Sequence, residues 1–335
     1  MNAEKTVIRA VPTNIITGFL GVGKTSAILH LLKHKPINER WAVLVNEFGE
    51  IGVDGSLFEG QHSNDDGIFI REVPGGCMCC AAGLPMHIAL NQLLVKARPD
   101  RLLIEPTGLG HPEEVLQALS EEYYKEVLSL HKTLTLVDAR KLSDSRYTSH
   151  DTFNQQIAIA DIVVGNKLDL YKDEDKARLE AYINQLGQSH ADVIFTQHGE
   201  IPLSVLQGVS SAHPLPKHHH HHHENDEKPL ASEAPMPECG FIKAKNEGEG
   251  FNSIGWRFSP DMVFNRELLF SFLTGLRAER MKAVFITDIG VLGYNLTADA
   301  LTEIELDDCL ESRIEVISDK LDDSLEAQLL ACVVS

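Results

Sequence analysis

Gly18-Phe19-Leu20-Gly21-Val22-Gly23-Lys24-Thr25 is the stretch that decides the fold. It fills every fixed position of G-x-x-x-x-G-K-[ST]. It also stands where that pattern acquires meaning, after the strand-like run Asn14–Thr17 and before the helical spacing of Ser26 to Lys33. Glycines reach backbone conformations closed to other residues and let successive N–H groups wrap a phosphate. The start of the helix adds partial positive charge. Gly18, Gly21, Val22, Gly23 and Ser26 therefore form a candidate nucleotide-binding set with Lys24 and Thr25. Lys24 reaches the β- and γ-phosphates and the Thr25 hydroxyl binds Mg²⁺, which makes both catalytic candidates as well. A glycine-rich turn matching by chance is the bland alternative, and the two flanking elements argue against it.

Outward from this loop, residues 13 to about 208 alternate strand-like and helix-like pieces. Apolar or β-branched runs fall at Trp41–Asn46, Ile68–Val73, Arg101–Glu105, Thr133–Asp138, Asp161–Asn166 and Val193–Thr196. Helical spacing marks Leu84 to Ala97 and Lys176 to Leu186. Near-continuous apolar strands between helices indicate a doubly wound, mostly parallel sheet covered on both faces, an α/β domain over residues 1–209. From 210 to 238 the pattern breaks into prolines, acids and six histidines, His218 to His223. That composition cannot build a core and reads as a His-rich disordered linker. Residues 239–335 become foldable again. Strands at Ile254–Phe258, Ala283–Thr287 and Arg313–Ile317, with helices at Arg266–Leu276 and Leu325–Val333, give a small α+β domain.

Bulk properties restrict the function. The 335 residues carry a formal net charge of −19, which argues against non-specific binding of nucleic acid or anionic lipid. No apolar run approaches the roughly 20 residues of a membrane helix, and Met1 to Pro12 lack a secretory core. The expectation is a cytoplasmic protein with neither nucleic acid nor membrane as partner. Three of the six cysteines fall within four positions, which is no disulfide framework.

Two further strand ends complete the nucleotide reading. Glu105 closes an apolar strand and precedes Pro106-Thr107-Gly108. Its carboxylate can hold the Mg²⁺ shell or orient water, and the Gly108 N–H can meet the γ-phosphate. An ordinary strand end with a helix cap would look the same, and both readings stay open. Asn166-Lys167-Leu168-Asp169 follows another strand. An aspartate there accepts both guanine N1–H and N2–H, which adenine lacks, while Asn166 meets the ring edge and the Lys167 stem covers its face. The nucleotide read from these residues is GTP.

Cys77, Cys79 and Cys80, in Gly75-Gly76-Cys77-Met78-Cys79-Cys80, can converge on one soft ion. Disulfide geometry makes pairing among them strained. Zinc takes thiolates at about 2.3 Å in a tetrahedral shell, and two or three thiolates leave an open position suited to transfer. Buried structural cysteines and a redox relay are the alternatives. Glu47 and Glu50, in Asn46-Glu47-Phe48-Gly49-Glu50, lie where a GTPase loop responds to nucleotide, and are metal candidates beside the thiols. Thr25 belongs to the metal set through Mg²⁺. The histidine run can gather Zn²⁺, Ni²⁺ or Cu²⁺, or be an inserted tag or spacer. Lone histidines such as His30, His34 and His131 read as surface or core residues.

The loop 18–25, Asn46–Glu50, Gly76–Cys80, Leu103–Gly108 and Asn166–Asp169 stand in the order found in the CobW-type GTPases, and the chain resembles that P-loop metallochaperone family. The resemblance spans nearly the whole chain, with weaker motifs around Trp256-Arg257-Phe258. It implies slow GTP hydrolysis stimulated by metal or partner, zinc at Cys77, Cys79 and Cys80, and delivery of zinc to a client metalloprotein. Some relatives carry an acid immediately before the Asn-Glu pair. Here Val45 stands there, which leaves Glu47 and Glu50 as the carboxylate candidates. A nucleotide-gated zinc buffer or sensor, and a maturation factor for a cobalt or iron enzyme, remain alternative readings.

Overall fold

Strands buried on both faces need helices on both sides, and the first part of the chain supplies them. The computed structural model describes residues 8–46, 67–73, 84–110, 112–188, 190–211, 234–248, 251–306, 308–318, 320, 322 and 324–334. These fall into two compact units, one ending at residue 211 and one beginning at residue 234.

In chain order the first unit runs β1 (Val11–Gly18), α1 (Lys24–Lys33), β2 (Trp41–Asn46), β3 (Ile68–Val73), α2 (Leu84–Ala97), β4 (Arg101–Glu105), α3 (Pro112–Leu119), β5 (Leu128–Leu130), β6 (Leu134–Val137), α4 (Ser145–Thr148), α5 (Asp151–Ala158), β7 (Ile162–Gly165), α6 (Asp175–Gln185) and β8 (Asp192–Phe195). The sheet order is β3-β2-β4-β1-β6-β7-β8, and these pairings are parallel. β5 and β6 share one edge of β1: Val11 to Thr13 pair with Leu128 to Leu130, and Ile16 to Gly18 with Leu134 to Leu136. On α2, Met86, Ala89, Leu90, Leu93, Leu94 and Ala97 recur at helical spacing and pack on Ala42, Leu44, Leu102 and Ile104. Burial of each large apolar side chain contributes about 1.5–3 kcal/mol.

From β1 the chain winds outward to β2 on one side, and from β4 it returns to β6 on the other. The carboxyl end of β1 is therefore a switch point, where α/β sheets open a ligand crevice. At the opposite end, a buried polar network ties the strands. Arg101 Nη1 donates to Asn14 Oδ1 at 2.6 Å, with the guanidinium 5.5 Å from the Trp41 ring centre. Burial lowers the Arg101 pKa. Asn14 Nδ2 donates to the carbonyls of Lys132 (2.9 Å) and Leu206 (3.0 Å). Asn14→Ala strands those groups and is expected to cost about 3 kcal/mol. Urea denaturation followed by Trp41 fluorescence in a Trp256→Phe background measures it. Near the end of this unit, the Asp161 carboxylate accepts from Thr133 N, Ser210 Oγ and Ser211 N at 2.7–2.8 Å.

The second unit runs β9 (Phe241–Gly248), β10 (Phe251–Phe258), α7 (Arg266–Gly275), β11 (Arg280–Thr287), β12 (Gly290–Thr297), β13 (Leu301–Leu306), β14 (Ser312–Ser318) and α8 (Leu325–Leu330). Its sheet is antiparallel, in order β13-β12-β11-β14-β10-β9. Trp256, Phe258, Phe264, Phe285 and Tyr294 form its core with Leu269 and Leu273 of α7. Asn265 caps α7 by accepting from Leu268 N at 3.0 Å. The α/β sheet followed by a small α+β unit matches the class expected from the sequence. The His-rich run, Glu47, Glu50 and Cys77, Cys79 and Cys80 lie outside the described residues.

Candidate functional site

The phosphate loop is shaped by its glycines. Gly18, Gly21 and Gly23 have φ of 141°, 68° and 98°, a region that favours glycine. The loop delivers Lys24 into α1 with its side chain folded back. Lys24 is 5% exposed, and its ammonium donates to the carbonyls of Gly18 (2.9 Å) and Phe19 (3.2 Å).

Two other strand ends meet this loop. At the end of β4, Glu105 is buried and its Oε1 accepts from Thr25 Oγ1 at 3.2 Å. A hydroxyl and a carboxylate this close are hard oxygen donors of the kind Mg²⁺ takes. Three residues on, a Cβ at Gly108 would lie 3.0 Å from Lys24 Nζ and 3.2 Å from Leu20 N, so the backbone here comes close to both the lysine and the loop. Gln156 Nε2 on α5 donates to the Gly108 carbonyl at 3.1 Å and fixes that approach. A cradle that admits no Cβ at Gly18 or Gly23, beside an ammonium, fits a polyphosphate.

The end of β7 brings Asn166 against the same loop. Its Nδ2 donates to Val22 O at 2.8 Å, and its Oδ1 accepts from Gly199 N at 3.2 Å. Asn166 thus ties the phosphate loop to residues 196–200. Lys167 follows in the left-handed region, φ 62°, with its ammonium 4.0 Å from Asp138 Oδ2. Asp138 is buried and also holds Arg140 through Nε (2.9 Å) and Nη2 (2.6 Å). The Tyr171 hydroxyl accepts from Ala139 N and donates to Val137 O, and burial raises its pKa. Asp169 is exposed, as is Ser26.

Sequence reading missed Asp138, Gln156 and Gly199. Asp138 carried a signal, a carboxylate closing an apolar strand as Glu105 does. Gln156 and Gly199 act through contacts far away in sequence, and the chain offers no local mark of them.

Gly23 yields a prediction. A Cβ there would sit 2.5 Å from Asn166 Nδ2, at a φ of 98° that L side chains rarely adopt. Gly23→Ala is expected to weaken GTP binding about 10–100-fold, through strain of about 1–3 kcal/mol and displacement of Asn166. Titration with a fluorescent GTP analogue checks it. Adding Asn166→Ala removes the clash and not the strain, so the double variant does not recover parent affinity.

A phosphate loop at the switch point of a parallel sheet, met by the ends of two other strands, defines an α/β nucleoside-triphosphate-binding protein. Residues 12–195 match the family model described as CobW/HypB/UreG, nucleotide-binding domain, and the chain belongs to that family. It is similar to the zinc chaperone YeiR of Escherichia coli (strain K12), 40% identical over 310 residues, 91% of this chain and 92% of that protein. It is 29% identical to the zinc chaperone CobW of Pseudomonas aeruginosa, over 60% of each chain. Among solved structures it is similar to the Zn(II)-bound YjiA GTPase from E. coli, at 20% identity and TM-score 0.43, covering 96% of this chain and 98% of that one.

Proposed function

We propose that the protein is a zinc-binding GTPase acting as a metallochaperone or insertase, which couples GTP binding and hydrolysis to delivery of Zn²⁺ to a client metalloprotein. The observation that carries the reading is the meeting of three strand ends around Lys24, in a chain 40% identical over nine-tenths of its length to a protein named as a zinc chaperone. Residues 1–209 are the GTPase domain, 210–238 the linker and 239–335 the C-terminal domain. The loop backbone of Gly18 to Gly23 holds the phosphates, and Lys24 turns its ammonium from loop carbonyls to the β- and γ-phosphate oxygens. Asn166, Lys167 and Asp169 hold guanine, with Asp138 positioning Lys167. Thr25 and Glu105 would hold Mg²⁺, which when bound neutralises charge developing between the β- and γ-phosphates. Gly108, beside Lys24, would offer its backbone N–H to the γ-phosphate. Turnover is slow and stimulated by metal or partner in this reading.

Zinc is the cargo. Cys77, Cys79 and Cys80, with Glu47 and Glu50 as carboxylate candidates, would hold it. Linkage requires that if GTP alters zinc affinity, zinc alters GTP affinity by the same factor. We place this action in the cytoplasm. No described helix is long and apolar enough to cross a membrane.

Zinc titration with and without GTP, reading both affinity and phosphate release, tests the coupling. Changing Cys77, Cys79 and Cys80 to serine is expected to lower zinc affinity about 100-fold or more and to abolish zinc stimulation of GTP turnover. A triple variant that binds zinc and hydrolyses GTP like the parent sinks the reading. Labelled zinc reaching an apo-client only during hydrolysis separates delivery from gated storage.

A further inference from the structure

His30 and His34 are not the isolated surface histidines that their sequence positions suggest. They stand one turn apart at the carboxyl end of α1, with ring centres 4.2 Å apart. His34 Nδ1 lies 2.8 Å from His30 O, and the His34 backbone N–H donates to the same carbonyl at 3.2 Å. A carbonyl only accepts, so the His34 ring proton is on Nδ1 and the Nε2 lone pair is left for another partner. Metal-binding histidines are oriented in this way, with the second ring nitrogen donating to a backbone carbonyl.

We propose that His30 and His34 form a second metal site, separate from the cysteine cluster, which takes a borderline divalent transition ion such as Zn²⁺, Ni²⁺ or Cu²⁺ through two imidazole nitrogens. Histidines at i and i+4 present their rings on one helix face, the spacing by which helical zinc sites supply two ligands. Two nitrogens on one tetrahedral zinc, each at about 2.0–2.1 Å, stand about 3.3 Å apart. The rings stack at 4.2 Å between centres, and two imidazoles sharing one tetrahedral ion need their centres about 5 Å apart, so binding swings the rings about 1 Å away from each other.

Three surrounding features favour a cation. The carboxyl end of a helix carries partial negative charge. Glu200 is close enough for its charge to act on His30, and it lies in a segment packed on α1, where a Cβ at Gly199 would come within 2.7 Å of Ala27 N. Burial and the neighbouring His34 lower the pKa of His30, which keeps the imidazole in its ligating neutral form at pH 7. Lys33 opposes binding through its charge. Among the described residues no third His, Cys, Asp or Glu completes a ligand group, so water fills the remaining positions. Two protein ligands make an exchangeable site, weaker than one built on thiolates.

Histidine footprinting of the full-length protein tests this, because the readout is assigned peptide by peptide and is independent of zinc held elsewhere. Diethylpyrocarbonate is added with and without ZnCl₂, and modification of each histidine is followed by mass spectrometry. The expected result is protection of His30 and His34 together by about tenfold in saturating zinc. MgCl₂ at the same concentration gives none, and His131 and His198 are unaffected. His34→Gln, a change at an exposed residue, is expected to restore most of the reactivity of His30 in zinc. Unchanged modification of the pair, equal slowing of all histidines, or full protection of His30 in the His34→Gln variant would each overturn the proposal.

Discussion

Lys24→Ala is expected to lower kcat/KM for GTP by about 10²–10³-fold, the usual loss when one preorganised donor to developing transition-state charge is removed. Lys24 is buried and its ammonium is already confined by the carbonyls of Gly18 and Phe19. Little reorganisation is then needed when a triphosphate offers stronger, charge-assisted acceptors. Most of the loss should appear in kcat, because the charge on the γ-phosphate oxygens and the leaving group changes during transfer. Lys24→Arg should not rescue. A planar, bulkier guanidinium does not reproduce the compact point charge of the ammonium held by the Gly18 and Phe19 carbonyls. Phosphate release under steady-state and single-turnover conditions separates binding from chemistry. An alanine variant with parent turnover would mean that hydrolysis is carried elsewhere.

The residues that sequence placed well are those whose roles depend on local backbone. The phosphate loop announces itself because its glycines need left-handed φ and its lysine needs a helix start, and both constraints are local. β2, β3, β4 and α2 were legible to the residue because apolar runs of that length between polar breaks leave few choices. β12 was not legible. Its Gly290, Gly293 and Asn295 weaken strand propensity, and its register is set by pairing with β11. The eight-residue helices α3 and α5 are hard to read for their shortness alone, about two turns each, since their apolar residues do recur on one face. At the site, the Asn166 bridge between Val22 and Gly199 spans 144 residues on one side and 33 on the other. Sequence named the residue for the guanine edge, yet its amide here holds the phosphate loop. That second duty follows from β7 ending beside β1's loop, a fact of topology rather than of motif. His30 and His34 carry one further signal in the sequence, a separation of four that puts both on one face of a helix.

Asp169→Asn is expected to change which base the site accepts. A carboxylate accepts two hydrogen bonds from guanine, at N1–H and at the exocyclic N2–H, and an amide keeps only one of those two acceptors. An asparagine instead has one acceptor and one donor facing the base, which matches xanthine with its N1–H and its C2 carbonyl. Each charge-assisted bond contributes about 1.5–3 kcal/mol, so kcat/KM for GTP should fall by about 10²–10⁴-fold. The same parameter for xanthosine triphosphate should rise above the value for GTP. The reversal requires the rest of the pocket to stay in place, and the structure gives reasons why it would. Lys167 is held by buried Asp138, while the Leu168 N–H is bonded to Thr196 O at 3.0 Å. The exposed Asp169 side chain is therefore a replaceable tip on a fixed frame. Hydrolysis of GTP and xanthosine triphosphate by parent and variant, compared as a ratio, removes any loss common to both nucleotides. A ratio that does not move would show that Asp169 does not read the base, and the guanine assignment would fall with it.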